Sequence, residues 1–355
     1  MNHSYPKVSA IDLFCGAGGL THGLINAGIS VRAGFDVDEC CRYPFEENNE
    51  IPFVCEDISV TTVETIRQYL GTSSVKLIAG CAPCQPFSRY TQGKNAQDSD
   101  KWRMLFEFMR LIEGVNPELV TMENVPQLRN HSIYKDFENL LIQNGYKISS
   151  SIVFAPNYGI PQTRNRLVLL ASKFGEIKLI PPTHTVEEYK SVYEAIAHLK
   201  EIDAGRQCEF DPLHKASSLS ALNLKRIKSS KPGGSWQDWS DALITDCHKK
   251  PEGISYKNVY GRMSWDKPSP TITTQFTGFG NGRFGHPDQN RALSLREGAL
   301  LQTFPENYRF TSPNECVTIK NVARMIGNAV PVELARVIGL SIQRHLETQQ
   351  NDTRI

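Results

Sequence analysis

The chain has 355 residues, of which 40% are apolar and 22% are charged, and its net charge at pH 7 is +1. This is the composition of an ordinary soluble protein with ample material for a core. Nine cysteines are too few for a disulfide scaffold, and free thiols suit a reducing compartment. The N-terminal residues lack the features of a signal peptide, and no apolar run approaches the roughly 18 residues of a membrane helix. We therefore expect a cytoplasmic protein without a membrane partner.

The basic residues are unevenly distributed along the chain. Between Lys215 and Arg291 there are 12 Lys and Arg but 6 Asp and Glu, a surplus of +6 that leaves −5 for the remainder. A basic segment on an otherwise acidic protein is typical of a surface that binds phosphates. An ordinary solvated surface is the alternative that composition leaves open.

Up to about residue 173, short apolar runs alternate with helical spacing, which predicts an α/β fold with a mostly parallel sheet. The predicted strands are 7–14, 31–36, 75–80, 118–123 and 167–171. The predicted helices between them are 19–27, 64–70, 104–113 and 133–144.

After Pro181 and Pro182 the chain becomes richer in Gly, Ser, Pro and Lys, which predicts a second, smaller and more irregular domain. Helical spacing returns at 296–304 and 322–340. We therefore predict a first domain of residues 1–182 completed by 291–345, a second domain of residues 183–290, and a frayed polar tail at 346–355.

A glycine-rich turn follows the first predicted strand. Gly16, Gly18 and Gly19 form a G-x-G-G pattern that opens a helix, and this differs from the G-x-G-x-x-G turn of NAD-binding domains. A short turn of this kind suits an adenosyl ligand that carries a carboxylate and no pyrophosphate. A plain tight turn without a ligand remains open.

Carboxylates follow the next two apolar runs. Asp36 and Asp38 close the second strand, where doubly wound folds hold the hydroxyl pair of a ribose. Asp57 ends a third short run and could face an adenine amine. Each could instead cap a helix, but three such carboxylates favour a shared ligand.

Cys84 is predicted to lie on a rigid turn at the carboxyl end of a strand, where catalytic groups gather in open α/β sheets. Cys81 and Cys84 form a CxxC pair, but no second CxxC or histidine pair completes a zinc site. A redox function is disfavoured because Pro86 and the polar run to Asp100 do not resemble a helix start. Glu123 ends another strand, so a thiol and a carboxylate could act on one ring.

Six motifs occur in the order found in the C5-cytosine DNA methyltransferases, which the chain therefore resembles over nearly its whole length. They are residues 14–20, 83–86, 123–125, 162–166, 296–305 and 327–331. The resemblance, to the bacterial type of this family, implies a Rossmann-like class I methyltransferase domain, a smaller, irregular target-recognition domain, and S-adenosylmethionine as the cofactor.

The resemblance also implies a role for each matching residue. The catalytic residues would be Cys84, Glu123, Arg164 and Arg166. The cofactor pocket would contain Phe14, Gly16, Gly18, Gly19, Asp36, Asp57 and Asn328. Contacts with DNA are expected from Gln85, Ser88, Gln162, Thr271 and Thr273. Apart from the motifs, Arg226, Arg262 and Arg283 of the smaller domain are candidates for reading base edges in the major groove or for contacting phosphates. No metal is expected. Residues 271–273, Thr-Ile-Thr, are similar to the Thr-Leu-Thr signature of the family.

The implied reaction is methylation of C5 of a flipped cytosine in a specific duplex sequence, through a covalent adduct between Cys84 and C6. Residues 88–101 would be a lid over the base. The expected partner is double-stranded DNA, bound by a monomer associated with the nucleoid if the source is bacterial. A cognate restriction endonuclease in the same cell is compatible, with no direct contact implied.

Two alternatives are weighed against this function. A tRNA cytosine-5 methyltransferase of the same fold would usually carry a Cys-Phe-Thr motif, which is not found. A non-enzymatic scaffold would be expected to have lost Cys84, Glu123 or the glycines, which are all present.

Overall fold

The computed structural model describes residues 7–83 and 98–352, and the chain divides into two compact units. The first unit contains Met1–Phe154, Asn165–Pro182 and Val330–Ile355. The second contains Ala155–Arg164 and Thr183–Ala329.

The first unit is built on a seven-stranded sheet with the strand order β3-β2-β1-β4-β5-β8-β6. Its strands are β1 (Val8–Leu13), β2 (Ser30–Asp36), β3 (Phe53–Cys55), β4 (Val75–Gly80), β5 (Leu119–Asn124), β6 (Lys147–Phe154) and β8 (Asn165–Ser172). The first five strands pair in parallel, whereas β8 is antiparallel to β5 and β6 is antiparallel to β8. The predicted mostly parallel α/β sheet is confirmed.

One face of the sheet carries the main hydrophobic core. Every residue of β1 and β5 is buried, as expected for strands covered on both faces. Ile11 and Leu13 of β1 point into a cluster with apolar residues of three helices, for example Phe108 and Phe137. These helices are α3 (Val63–Leu70), α4 (Asp98–Val115) and α5 (Ser132–Gln143).

The alternate residues of β1 point the other way, toward α1 (Gly19–Asn26). Thr21 of α1 donates a hydrogen bond to Asp12 of β1, at 2.7 Å. This helix packs closely on α11 (Val332–Asp352). A Cβ atom at Gly23 would lie 2.3 Å from the carbonyl oxygen of Val332, so the two helices approach this closely only because residue 23 is glycine.

The sequence predicted the central elements better than the peripheral ones. The edge strand β6 and the helix α2 (Arg42–Asn49) were not predicted. The predicted helix 322–340 is two helices, α10 (Ile319–Asn328) and α11, separated at Val330 and Pro331, because proline disfavours helical continuation before it. The first residues of the predicted polar tail, 346–352, belong to α11, which continues to Asp352.

By length and composition, Ile319–Gln349 could cross a membrane, but 78% of its most apolar window is buried inside the protein. Such burial is typical of core helices in a folded domain.

The second unit has short helices and much irregular backbone. The helices are α6 (Val192–Ile196), α7 (Ala221–Lys228), α8 (Pro251–Ile254) and α9 (Leu295–Leu301), together with α10. Two short strands, β7 (Gln162–Thr163) and β9 (Ser269–Pro270), pair in parallel. A separate aromatic cluster contains Trp236, Trp239 and Phe279.

A buried ion pair anchors the start of α9 in this unit. The Arg291 guanidinium binds both oxygens of Glu297, at 2.6 and 2.7 Å, and the two side chains are 0% and 1% exposed. Glu297 also accepts from the main-chain N–H of Ser294 at 2.7 Å, which completes a capping box. Burial alone would raise the pKa of Glu297, but the charge and hydrogen bonds of Arg291, together with His286 and the N–H of Ser294, lower it to about 2.

This packing changes one predicted boundary. Residues 291–329 were predicted to return to the first domain, but they pack within the second unit, and the chain returns at Val330. Glycine at position 298 lets α9 approach Phe276, and Arg296 pairs with Asp211 at 2.6 Å. The assignment of catalysis and target recognition to separate segments stays a prediction.

Candidate active site

The register of the parallel strands aligns four residues across the carboxyl edge of the sheet. They are, in spatial order, Asp36, Phe14, Cys81 and Glu123, each one position beyond a set of paired strand residues. Three of the four were predicted site residues. The sheet therefore brings the predicted cofactor and catalytic positions of the first unit to one edge.

The glycine turn bends sharply as it leaves β1. Phe14, Gly16 and Gly18 have φ values of 64°, 51° and 90°. A non-glycine residue in this region costs about 1–3 kcal/mol and is common at functional sites. The main-chain N–H of Gly16 donates to Oδ2 of Asp36 at 2.9 Å, and α1 begins at the buried Gly19. The hydrogen bond between Gly16 and Asp36 thus fixes the glycine turn against the end of β2.

The three predicted carboxylates differ in their surroundings. Asp36 is half-buried, and its other oxygen accepts from the N–H of Asp38 at 2.9 Å. Burial raises the pKa of Asp36. The side chain of Asp38 caps a short 3-10 helix, so the helix-cap interpretation holds for it. Asp57 accepts from the N–H of Ser59 at 2.8 Å, and this hydrogen bond lowers its pKa.

A fourth carboxylate, Asp12, lies beneath the turn and was not predicted as a site residue. It is 0% exposed, and burial raises its pKa to about 7. Thr21 donates to Oδ2, whereas Oδ1 has no hydrogen-bond partner among the described residues. Its position in a strongly apolar strand favoured a structural interpretation, so the sequence offered no signal for it.

Glu123 is the central residue of the predicted catalytic positions, as distinct from the predicted cofactor positions described above. It is 3% exposed. Arg166 Nε lies 2.8 Å from its Oε1, and the Cys81 thiol donates to its Oε2 at 3.0 Å. Glu123 and Arg166, each predicted as a catalytic residue, are therefore in direct contact.

A hydrogen bond fixes the chain just before the predicted nucleophile. The amide of Asn124 donates to the carbonyl of Ala82 at 3.0 Å, and its oxygen accepts from the N–H of Val125 at 2.8 Å. This connects the end of β5 to the segment after β4. Pro83 is the last described residue before the gap, so Cys84, Gln85 and Ser88 lie outside the described residues, as does most of the predicted lid at 88–101.

Two predicted residues of the 162–166 motif lie inside the second unit. Arg164 is 3% exposed and donates to the carbonyl of Ile272 at 3.0 Å. Gln162 is 0% exposed, accepts from the N–H of Ile272 at 3.1 Å and donates to Gln302 at 2.6 Å. These contacts connect β7 to the segment around residue 272. The amide of Gln162 is satisfied by hydrogen bonds within the protein, and its contact with DNA stays a prediction.

The arginines predicted to contact DNA are also used internally. Arg262 is 4% exposed and makes four hydrogen bonds to main-chain carbonyls, and Arg226 is 9% exposed and stacks near Trp239. Arg283 is half-buried and donates to the carbonyls of Gly233 and Gly234. These guanidinium groups hold the fold of the second unit, and their contact with DNA stays a prediction.

The second unit also contains the predicted residues Thr271, Thr273 and Asn328 and the basic surplus of the sequence. The Thr271 hydroxyl donates to the carbonyl of Thr163 at 3.1 Å, whereas Thr273 is exposed. Asn328 is the last residue of α10. The basic surplus is presented by exposed lysines rather than arginines: Lys225, Lys228, Lys231, Lys249, Lys250, Lys257 and Lys267.

Comparison with known proteins decides the family. The family model for C-5 cytosine-specific DNA methylases matches residues 8–344. The chain belongs to this family. The Type II methylase M.HgiDII of Herpetosiphon aurantiacus is 51% identical to this methylase over 350 residues, which cover 98% of each chain.

More distant relatives match over similar lengths. The Type II methyltransferase M1.HphI of Haemophilus parahaemolyticus is 30% identical, over 95% of this methylase and 87% of its own chain. A crystal structure described as a prophage-encoded DNA modification methyltransferase of E. coli has a TM-score of 0.72 at 22% identity, and covers 96% of this methylase and 100% of that chain. The predicted family, fold class and enzyme class, DNA cytosine-5 methyltransferase, are confirmed.

Proposed function

We propose that this methylase transfers a methyl group from S-adenosylmethionine to C5 of a flipped cytosine in a specific duplex DNA sequence, as the modification enzyme of a Type II system. The observation that carries the proposal is the buried Glu123, held by Arg166 and by Cys81 at the sheet edge from which the segment of Cys84 departs. The tRNA alternative is less supported, because the matching family model and the relatives named above are DNA methylases.

The chemistry requires a nucleophile and an acid on one ring. The Cys84 thiolate would form a bond to C6, which makes C5 nucleophilic. Glu123 would hold or share a proton at N3 and so neutralise the charge that develops on the ring. After methyl transfer, the C5 proton leaves and the bond between sulfur and C6 breaks, which releases the thiolate. A thiol serves both as nucleophile and as leaving group.

S-adenosylmethionine would supply the methyl group, and the turn after β1 fits it. A Cβ atom at Gly16 would meet nothing within 4 Å, so there is open space beside the Asp36 carboxylate. A carboxylate at the end of the second strand suits a ribose. Phe14, Gly16, Gly18, Asp36 and Asp57 would hold the adenosyl group, with Gly19 opening the helix. Asn328 is proposed as a cofactor residue on the family resemblance alone.

We expect Gly16→Leu to weaken S-adenosylhomocysteine binding at least tenfold in calorimetry, because the side chain would fill the space above the turn. Gly145→Leu is the matched control, since Gly145 also has a positive φ, of 84°, and nothing within 4 Å of its Cβ position. Both variants bear a backbone cost of about 1–2 kcal/mol. Equal loss of affinity in both variants, or none in Gly16→Leu, would contradict this placement of the cofactor.

We expect Glu123→Gln to slow single-turnover methylation by about a hundredfold or more, the usual scale for loss of a positioned acid. The amide cannot exchange a proton with N3 and loses the ion pair with Arg166. Glu118→Gln is the control, because Glu118 accepts from the N–H of Lys76 just before β5, and an amide oxygen keeps that contact. An unchanged rate in Glu123→Gln would remove Glu123 from the mechanism.

The function as a whole is tested by bisulfite sequencing of DNA from cells that express the chain. We expect cytosines to be protected within one short recurring sequence, and the same cells expressing Cys84→Ser to show none. Protection absent from both, or confined to tRNA, would overturn the proposal.

Target recognition is proposed for residues 183–290. The exposed lysines of this segment suit phosphates, to which they bind as point charges without sequence preference. Binding should therefore weaken steeply with salt. Exchange of this segment with that of a relative of different specificity should move the protected sequence, and an active chimera that keeps the original target would place recognition elsewhere.

A further inference from the structure

Cys81 contacts the acid of the proposed mechanism although it has no assigned role. Its thiol donates to Glu123 Oε2 at 3.0 Å, and its side chain is half-buried. Gly80 and Met122 are register partners, so the residues that follow them, Cys81 and Glu123, are neighbours across β4 and β5. The contact is therefore set by the pairing of two central strands.

The carboxylate of Glu123 has an ion-pair partner at one oxygen and a hydrogen-bond donor at the other, and the Cys81 thiol is that donor. Arg166 Nε lies 2.8 Å from Oε1, and Cys81 donates to Oε2. The last torsion of a glutamate side chain is broad when nothing restrains it. The charge of Arg166 holds one oxygen in place, and the directional hydrogen bond from Cys81 to the other restrains the plane of the carboxylate. A group that acts on a substrate needs to be held within about 0.5 Å of its productive position.

A thiol suits a partner whose protonation changes during the reaction. It is both a weak donor and a weak acceptor. It can donate to the ionised carboxylate of Glu123 and can accept from the carboxyl group after proton uptake. A second cation at this position would instead favour the ionised form. Cys81 can thus keep its contact in both states of the acid.

We propose that Cys81 is a positioning residue that orients the Glu123 carboxylate toward the target cytosine, a proposal that rests on the proposed function. The two cysteines of the CxxC pair then have separate tasks. The first serves the acid, and the second, Cys84, is the nucleophile.

The kinetic test compares Cys81→Ala with Cys81→Ser, which keeps a donor and acceptor of similar size. We expect kcat to fall about tenfold in Cys81→Ala, the scale of one hydrogen bond to a charged group. KM for DNA and for S-adenosylmethionine should stay within about twofold, and Cys81→Ser should recover kcat to within about threefold of the wild type. Cys316→Ala, at an exposed cysteine, is the control. Wild-type kcat in Cys81→Ala, or equal losses in Ala and Ser, would overturn the proposal.

A second measurement does not depend on activity. Infrared difference spectra between the wild type and Cys81→Ser assign the S–H stretching band of Cys81. We expect this band to shift to higher frequency in Glu123→Gln, because an amide is a weaker acceptor than a carboxylate, and an unshifted band would refute the contact. Failure of the proposed function would look different, since the wild type itself would then methylate no duplex while the band shift persisted.

Discussion

DNA that carries 5-fluorocytosine at the target position should become covalently joined to this methylase in the presence of S-adenosylmethionine. The reason lies in the order of the proposed steps. Cys84 adds to C6, the methyl group is transferred to C5, and a proton must then leave C5 before the thiol is expelled. Fluorine cannot leave as a cation, so the reaction should stop with protein and DNA joined. The adduct is measured as a band of reduced mobility on a denaturing gel.

Cys84→Ser should abolish this adduct, because an alcohol ionises far less readily than a thiol near neutral pH. Cys81→Ala is the matched control, since it removes the other cysteine of the pair. It should still form the adduct, at a lower rate. An adduct that survives in Cys84→Ser, or that maps to the peptide of Cys81 by mass spectrometry, would show that the nucleophile is misassigned.

Glu297→Gln should lower the free energy of unfolding at pH 7 by about 3–5 kcal/mol, the cost of leaving a buried charge without its partner. The guanidinium of Arg291 is fully buried and binds both oxygens of Glu297. Three of the four tryptophans lie between residues 236 and 265, so the loss is measured by tryptophan fluorescence during urea unfolding of the second unit. Glu176→Gln, in an exposed ion pair with Lys178, is the control and should leave the unfolding curve unchanged.

The effect of Glu297→Gln on the free energy of unfolding should depend on pH and on the presence of Arg291. The pKa of Glu297 is lowered from 4.5 to about 2, so its stabilisation is present above pH 4.5 and is lost as the pH falls through 2. The difference between wild type and Glu297→Gln should therefore shrink across that range. The double variant Arg291→Met with Glu297→Met should be more stable than Glu297→Gln alone, because it removes both charges together. A double variant that is less stable would mean that the pair itself contributes the stability.

How far the sequence predicted this structure depends on the range of the interactions involved. The predicted bounds of β4 match the structure, because a short apolar run between turns signals a buried strand. The edge strand β6 was missed because its serines and exposed positions, such as Ile152, do not alternate clearly. The position of Glu123 at the carboxyl edge of the sheet followed from its place at the end of a predicted strand. Its contact with Cys81 depends on the register of β4 against β5, which no local pattern encodes.

The buried arginines of the second unit also show what a local sequence pattern cannot predict. Arg226 and Arg262 supply part of the basic surplus, and positive charge in sequence is a fair sign of a nucleic-acid surface. Their burial depends on carbonyl groups that come from distant segments, 24 to 35 residues away in the case of Arg262. Residue type therefore predicted a charge, and the long-range fold decided where that charge would lie.

The hydrogen bonds of Arg262 inside the second unit affect how the target specificity of such an enzyme can change between relatives. Four of its hydrogen bonds are to the main-chain oxygens of Ile227, Ser230, His286 and Gln289, and every residue type carries such an oxygen. Substitutions at those four positions change side chains but leave the acceptors of Arg262 in place. The scaffold of the second unit is therefore partly uncoupled from the identity of the side chains around it. Because Ile227, Ser230 and His286 are buried, packing limits the side chains that fit there, and new surface chemistry can arise at the exposed positions of the unit while the guanidinium keeps the backbone in the same arrangement.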